Sequence, residues 1–274
     1  MKKWKVKLLY MGHSYGRKGQ ITPNLDPDLW IEIPFWSVLL QADGRNILVD
    51  SGCNERFVKG GKGFAGMDFY VGRKYLDAAL KDANITPEEI DTVVYTHLHN
   101  DHAAFSYLFK NARIIAQKKE WATLLNPLPS MLERRDYDLE AIPELKTTNM
   151  ILIDGDMDLT EGVRLIATPG HTAGSMSVAV NTSKGVVAFV ADHFHFHCMA
   201  FPRMTEIIDF HGKVQKITPA PEVYADTFLP SSIIYNHYDW YDSSYKIKAI
   251  VEKYEPGYIL AGHEPGLMYT FKGA

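Results

Sequence analysis

The stretch VVYTHLHNDHAAF, residues 93–105, decides how this chain reads. A run of β-branched and aromatic residues, the signature of a strand, stops at Thr96, and His97, His99, Asp101 and His102 follow within six positions. A lone histidine at a strand end is ordinarily a solvated or hydrogen-bonded loop residue. Four ionisable groups packed into one turn have little structural use, and imidazole with carboxylate at that density suits a divalent metal ion.

Working outward, three more strand-like runs end in a metal-capable residue: His171 after LIATPG, Asp192 after VVAFVA and His263 after YILAG. Ends of neighbouring strands share one rim of a sheet, so side chains distant in sequence can converge there on a rigid platform. The candidate ligands His97, His99, Asp101, His102, His171, Asp192 and His263 include no thiolate and exceed what one four-coordinate ion takes. Two divalent ions bridged by a carboxylate are therefore expected, zinc first, with iron, manganese or cobalt as the other first-row choices.

The rest of the chain supplies a scaffold for such a site. With 274 residues, 46% of them hydrophobic, it can bury a large core, and the absence of any repeat at fixed spacing favours one continuous domain over residues 1–274. Twenty-nine Lys plus Arg against thirty-three Asp plus Glu leave a formal charge of −4, with no basic stretch to hold a phosphate backbone, so nucleic acid is not an expected partner. The opening MKKWKVKLLYMGHSYGRKG has an apolar run of only about five residues, and no uninterrupted apolar stretch of about 18 occurs. These features predict a cytoplasmic protein with no membrane partner, in which Cys53 and Cys198 are reduced structural thiols.

Period and turn residues predict the elements. KVKLLYMG reads as a strand, and WIEIPFWSVLLQADGRNILVDSG as a hairpin turning at Asp43-Gly44. GGKGFAGMDFYVG lacks the Gly-Lys-Ser/Thr ending of a phosphate loop, so its glycines signal flexibility. GRKYLDAALKDAN has Tyr75, Leu76, Ala79 and Leu80 at helical spacing, and Thr86 with Glu89 forms a capping box for a short second helix. MILIDG, DMDLTEG, VRLIATPG, SMSVAVNTSKG and VVAFVADH are successive strands. In SSYKIKAIVEKYEPG a helix carries Tyr245, Ile247, Ile250, Val251 and Tyr254 on one face, with Ser243 or Ser244 as its cap and Gly257 beyond its end. Strands outnumber helices, which predicts an α+β fold with a sheet-on-sheet core and outer helices.

At this point the sequence resembles the metallo-β-lactamase superfamily, and nearly the whole chain takes part. VLLQADGRNILVDSG is similar to that family's first hairpin, THLHNDHAA to its signature, TPGHTAGSMSV to its second metal motif, FVAD to its bridging aspartate and AGHEP to its last histidine. The resemblance implies a four-layer αββα sandwich with a dinuclear site on its rim. It implies that His97, His99 and His171 hold one metal, that Asp101, His102 and His263 hold the other, and that Asp192 bridges them. Asp50 would brace the signature loop without being a ligand.

Spacing and flanks, NARIIAQKKEW and DGDMDLTEGVRLIATPGHTAGSMSV, most resemble the N-acyl homoserine lactone lactonases within that superfamily. Those enzymes usually place a tyrosine three residues after the bridging aspartate, where its hydroxyl helps hold the substrate carbonyl; here that position is His195. In DHFHFHC, residues 192–198, an extended chain would turn His193, His195 and His197 to one side, though only one can fill the tyrosine's place. The implied chemistry is ester hydrolysis. Two cations lower the pKa of a shared water from 15.7 to about 7, the resulting hydroxide attacks the carbonyl, and Asp101 could carry a proton to the leaving oxygen. No Gly-x-Ser-x-Gly elbow is present and neither cysteine has an obvious histidine partner, which disfavours a covalent route.

Three rivals share the ligand pattern or the fold. Glyoxalase II-type thioester hydrolases have the same ligands; flavodiiron proteins typically carry Glu where this chain has His99; and a silent binding module would not need every ligand position filled. The expected partner is a small lactone or ester. Phe35, Trp36, Phe64, Met67, Phe69, Tyr70 and the segment IIYNHYDWYDS could wall an apolar pocket for it, or else serve as core or homodimer contacts.

Overall fold

The computed structural model describes residues 2–274 and arranges the predicted strands as two packed sheets. The first contains β1 (Lys5–Arg17), β2 (Trp30–Ala42), β3 (Arg45–Val49), β4 (Asp68–Tyr70), β5 (Thr92–Val94), β6 (Arg113–Gln117) and β7 (Asn149–Ile153), in the order β4-β1-β2-β3-β5-β6-β7. The second is made from β8 (Met157–Thr160), β9 (Val163–Ala167), β10 (Met176–Thr182) and β11 (Gly185–Ala191). After a separate hairpin of β12 (Glu206–Ile208) and β13 (Val214–Lys216) it gains β14 (Ile259–Ala261), giving the order β14-β11-β10-β9-β8.

Alternation of side chains along these strands creates the layers. Val38, Leu40, Ile47, Val49, Val94 and Ile115 of the first sheet meet Leu165, Val178, Val187, Phe189 and Leu260 of the second in one buried cluster. The residues between them, Leu39, Leu48, Val93, Ile114, Ala188, Val190 and Ile259, face outward and are buried with the helices. Each such side chain contributes about 1.5–3 kcal/mol of burial, so strands apolar on both faces are stable only when sandwiched. The helices are α1 (Arg73–Asp82), α2 (Lys118–Leu125), α3 (Pro129–Arg134), α4 (Ala141–Lys146), α5 (His197–Ala200), α6 (His237–Ile250) and α7 (Leu267–Thr270). Of these, α1 leans on β1, α2 on β6 and α6 on β11, which completes an αββα sandwich. Among the described residues, no helix is long and apolar enough to cross a membrane.

Several local readings match. Asp43 (φ 47°) and Gly44 (φ 74°) form the two-residue turn joining β2 to β3. The Glu89 carboxylate accepts the Thr86 amide at 2.8 Å. Cys53 and Cys198 are buried free thiols.

Others need correction. Helix α6 begins at His237, seven residues before Ser244, because Asn236 caps it by accepting the amides of Tyr238 and Asp239. Ser243 and Ser244 lie inside it, their hydroxyls donating to the Pro169 and Trp240 carbonyls. It also ends at Ile250, short of Tyr254. The glycine-rich loop is a built structure: β4 within it pairs with β1, and a Cβ on Gly63 would collide with the Phe69 ring at 2.4 Å.

Candidate metal centre

Five strands end along one seam between the sheets. In the first, β3 runs parallel to β5, and the residues after them are Asp50 and the 97–102 loop. In the second, β9, β11 and β14 run in one direction and are followed by His171, Asp192 and His263. Asp192 is turned into the seam by an irregular strand end: the β11–β14 register shifts between Phe189 and Ala191, and Ala191 takes φ 45°. Such a conformation costs a non-glycine residue about 1–3 kcal/mol and persists only where its surroundings impose it. Here Gly262 presses on it, donating its amide to the Ala191 carbonyl at 2.8 Å with no room for a Cβ.

The seven donors gather into two groups, His97, His99, His171 and Asp192, and Asp101, His102, Asp192 and His263. Within each group the donor atoms lie inside 4.8 Å of one another. Asp192 belongs to both, one oxygen to each. Its Oδ1 is 3.0 Å from His102 Nε2 and 3.0 Å from His263 Nε2; its Oδ2 is 3.5 Å from His171 Nε2 and 3.9 Å from His97 Nε2. Asp101 reaches the second group through Oδ2, 3.7 Å from His263 Nε2.

The far nitrogens of these rings are already engaged. His102 Nδ1 donates to Asp50 Oδ2 at 2.8 Å, His171 Nδ1 to the Ile233 carbonyl at 3.0 Å and His263 Nδ1 to the Pro34 carbonyl at 2.9 Å. His97 Nδ1 meets the Thr96 hydroxyl at 3.2 Å. These bonds fix the tautomers and leave the Nε2 lone pairs pointing inward. His97 Nε2 is buried without a hydrogen-bond partner, and His102 Nε2 and Asp192 Oδ1, though 3.0 Å apart, are not aligned for a good hydrogen bond. Buried lone pairs facing one another in this way are costly unless a cation sits among them, and a thiol-free set of imidazoles and carboxylates fits a hard or borderline divalent ion.

Electrostatics agree with the geometry. Burial pushes the pKa of His97 and His99 well down, and that of His171 down, so these rings are neutral. Burial opposes charge on His102 and His263 too, yet the carboxylates of Asp192 and Asp101 outweigh it and raise both. Asp192 is itself held well below the usual carboxylate range, against its burial, by His263, His102 and His195. The positive charge the site calls for is thus carried by protons wherever no cation carries it.

Beside the donors lies a small space of about 40 Å³ walled by Ile21, Ile33, Phe35, Phe64, Met67 and Phe69. A second, of about 190 Å³, opens beyond His99 and His171 and is lined by Leu128, Arg134 and Tyr235. Phe35, Phe64, Met67 and Phe69 therefore wall a cavity, one of the two roles the sequence left open, and Phe35, Met67 and Phe69 belong to the buried core as well. Trp36 does not, since it is buried between the sheets with its indole N–H on the Glu264 carbonyl at 2.8 Å. Tyr70, half exposed, stacks on His13.

A family model described as the metallo-beta-lactamase superfamily matches residues 34–263. The chain belongs to the metallo-beta-lactamase superfamily. An N-acyl homoserine lactonase of Bacillus cereus is 31% identical over 199 residues, covering 68% of this chain and 76% of the relative. AiiB, an N-acyl homoserine lactonase of Agrobacterium fabrum, is 29% identical over 167 residues, covering 56% and 60%. Among solved structures, an N-acyl homoserine lactone hydrolase with the product N-hexanoyl-L-homoserine at its catalytic metal centre superposes with a TM-score of 0.72. It is 24% identical, with 96% of this chain and 94% of that one covered. AidC, a dizinc quorum-quenching lactonase, gives a TM-score of 0.66 at 16% identity, with 96% and 89% covered.

Within this superfamily frame the DHFHFHC segment departs from the extended form on which its three-histidine alignment rested. Residues Asp192–Phe194 form a tight helical turn and α5 starts at His197, so Asp192 and His195 share one side of a turn while the flanking histidines diverge. His193 stacks on Trp240 and bonds the Ser244 hydroxyl at 2.9 Å; His197 bonds the Ile259 carbonyl at 2.9 Å. Of these three histidines, His195 alone lines the cavity beside the donors. Two carboxylates the sequence did not single out also support the site: Glu120, and Glu264, which accepts the His197 amide at 2.7 Å and so ties the His263 loop to that turn.

Proposed function

We propose that this protein is a metal-dependent hydrolase that opens a lactone ring, with N-acyl homoserine lactones as the substrate class and two divalent ions, zinc first, as the cofactor. The observation that carries the reading is the shared carboxylate: each oxygen of Asp192 has its own set of imidazoles, beside an apolar cavity. The lactonase relatives support it. His97, His99 and His171 would hold one ion and Asp101, His102 and His263 the other, with Asp192 between them. Bound there, the ions supply a water acidified from 15.7 to about 7 and a Lewis acid for the ester carbonyl.

The chain's own side chains do the rest. Asp101, the most exposed of the seven donors, lines the cavity, where its carboxylate can take up the proton that the attacking water gives up and pass it to the leaving alkoxide. His195 Nδ1 is buried with no partner, and a proton there would be orphaned at about 1–3 kcal/mol, so the neutral ring carries it on Nε2, 3.4 Å from Asp192 Oδ2. Burial holds the ring's pKa well down, which keeps it neutral. An Nε2–H aimed at the centre can donate to a carbonyl oxygen as charge develops on it.

Proton release from lactones of graded acyl length, with S-lactoylglutathione as the thioester comparison, tests the reading with and without added zinc. Lactones are expected to turn over and the thioester to lag; undiminished activity in metal-stripped protein would defeat the proposal. In the same assay His195→Phe should lower kcat about 100-fold, the effect of losing one donor at a developing oxyanion. Its metal content should stay that of the parent.

Zinc added to metal-free protein should also displace protons, because His102 and His263 must become neutral to serve as ligands. Their pKa values are raised, so the histidines' share of the release is largest below those values and fades as pH climbs through them, while zinc affinity weakens as pH falls. Calorimetry in buffers of differing ionisation enthalpy counts these protons, and a count independent of pH would contradict the assignment.

A further inference from the structure

Glu120 belongs to neither donor group, yet it is completely buried in the first turn of α2. Its Oε2 accepts the Leu98 amide at 3.0 Å and its Oε1 accepts the Gly174 amide at 2.9 Å. Leu98 stands between His97 and His99, and Gly174 lies three residues past His171. One side chain therefore joins a loop leaving the first sheet to a loop leaving the second. The junction is tight: a Cβ on Gly174 would lie 2.6 Å from the Glu120 backbone nitrogen.

Burying a carboxylate is expensive, and a glutamine of the same shape would offer one acceptor and one donor where two amides call for two acceptors. The three histidines of the first donor group sit on the two loops that Glu120 joins. The second group is braced elsewhere, His102 by Asp50 and His263 by the Pro34 carbonyl.

We propose that Glu120 is a positioning residue that sets the spacing of His97, His99 and His171 around one metal ion and leaves the other ion's ligands untouched. This rests on the two-ion reading above. The test loads metal-free protein with Co(II), counts the bound ions by mass spectrometry and follows their visible absorption.

Glu120→Gln should keep the parent circular dichroism, bind one of its two ions about 10–100-fold more weakly and change that ion's absorption bands; losing a partner that orients a ligand typically has this size of effect. Asp50→Asn should weaken the other ion. Gly174→Ala, which pushes on the same junction but keeps the carboxylate, should reproduce the Glu120→Gln asymmetry and gives the answer if that variant does not fold. Parent-like binding and spectra in both Glu120→Gln and Gly174→Ala would overturn the inference. A parent protein that takes up a single ion would instead overturn the two-ion reading itself.

Discussion

Asp192→Ala is expected to lower kcat/KM for lactones at least about 1,000-fold, a loss of ~4 kcal/mol in transition-state stabilisation, without unfolding the sheets. The size follows from its position. Each Asp192 oxygen serves a different donor group, so one truncation removes a member from both. It also removes the carboxylate that does most to keep His102 and His263 charged in the metal-free site, and leaves a crowd of imidazoles with less negative charge among them. The fold should survive because Asp192 lies at the rim, beyond Ala191, where the inter-sheet core ends. Steady-state kinetics, metal analysis and far-ultraviolet circular dichroism on one preparation decide the matter. Activity within tenfold of the parent, or a full complement of metal, would mean that the carboxylate is not shared.

The second large effect is expected at a residue that holds no metal. Asp50 is buried, and its carboxylate accepts the Thr96 amide at 2.8 Å, the Thr96 hydroxyl at 2.7 Å and His102 Nδ1 at 2.8 Å. Asp50→Ala strands three buried donors at about 1–3 kcal/mol each before relaxation, so a loss of ~3–5 kcal/mol is expected. That is a large part of the roughly 5–15 kcal/mol that keeps a domain folded. His102 would lose the bond that fixes its tautomer, weakening zinc binding about 10–100-fold as well. Urea unfolding of metal-free protein and zinc competition measure the two parts separately. Asp50→Asn should fall between, since an amide still accepts but sets its own NH2 against one of the three donors, and asparagine tolerates the φ of 60° found here. A destabilisation under about 1 kcal/mol for Asp50→Ala would show that the three bonds are not made in solution.

The parts of this molecule that could be read from its sequence share a cause. A metal-capable side chain that ends an apolar strand announces both the strand and the rim, so His97, His171, Asp192 and His263 stand out as candidates together with the sandwich that gathers them. Glu120 and Glu264 were not, because their partners are mainly backbone amides, which leave no residue-specific trace, and a single glutamate in an amphipathic helix reads as solvated. Residues 192–198 misled for a different reason. A two-residue spacing fixes a common face only in extended chain, and a helical turn after Ala191 sent His193 against Trp240 and His197 against β14. The start of α6 was hidden in Asn-His-Tyr-Asp-Trp, where aromatic and polar residues mask the helical period and the cap is the asparagine itself.

Neither half of the chain owns a complete set of donors. The first group draws His97 and His99 from one sheet and His171 and Asp192 from the other; the second draws Asp101 and His102 from one and Asp192 and His263 from the other. During translation the signature histidines leave the ribosome long before Asp192 and His263 exist, so a nascent chain can present imidazoles but cannot cage an ion. Assembly of the proposed centre would therefore wait for the second sheet, and a chain that stopped before Asp192 would lack a member of both donor groups.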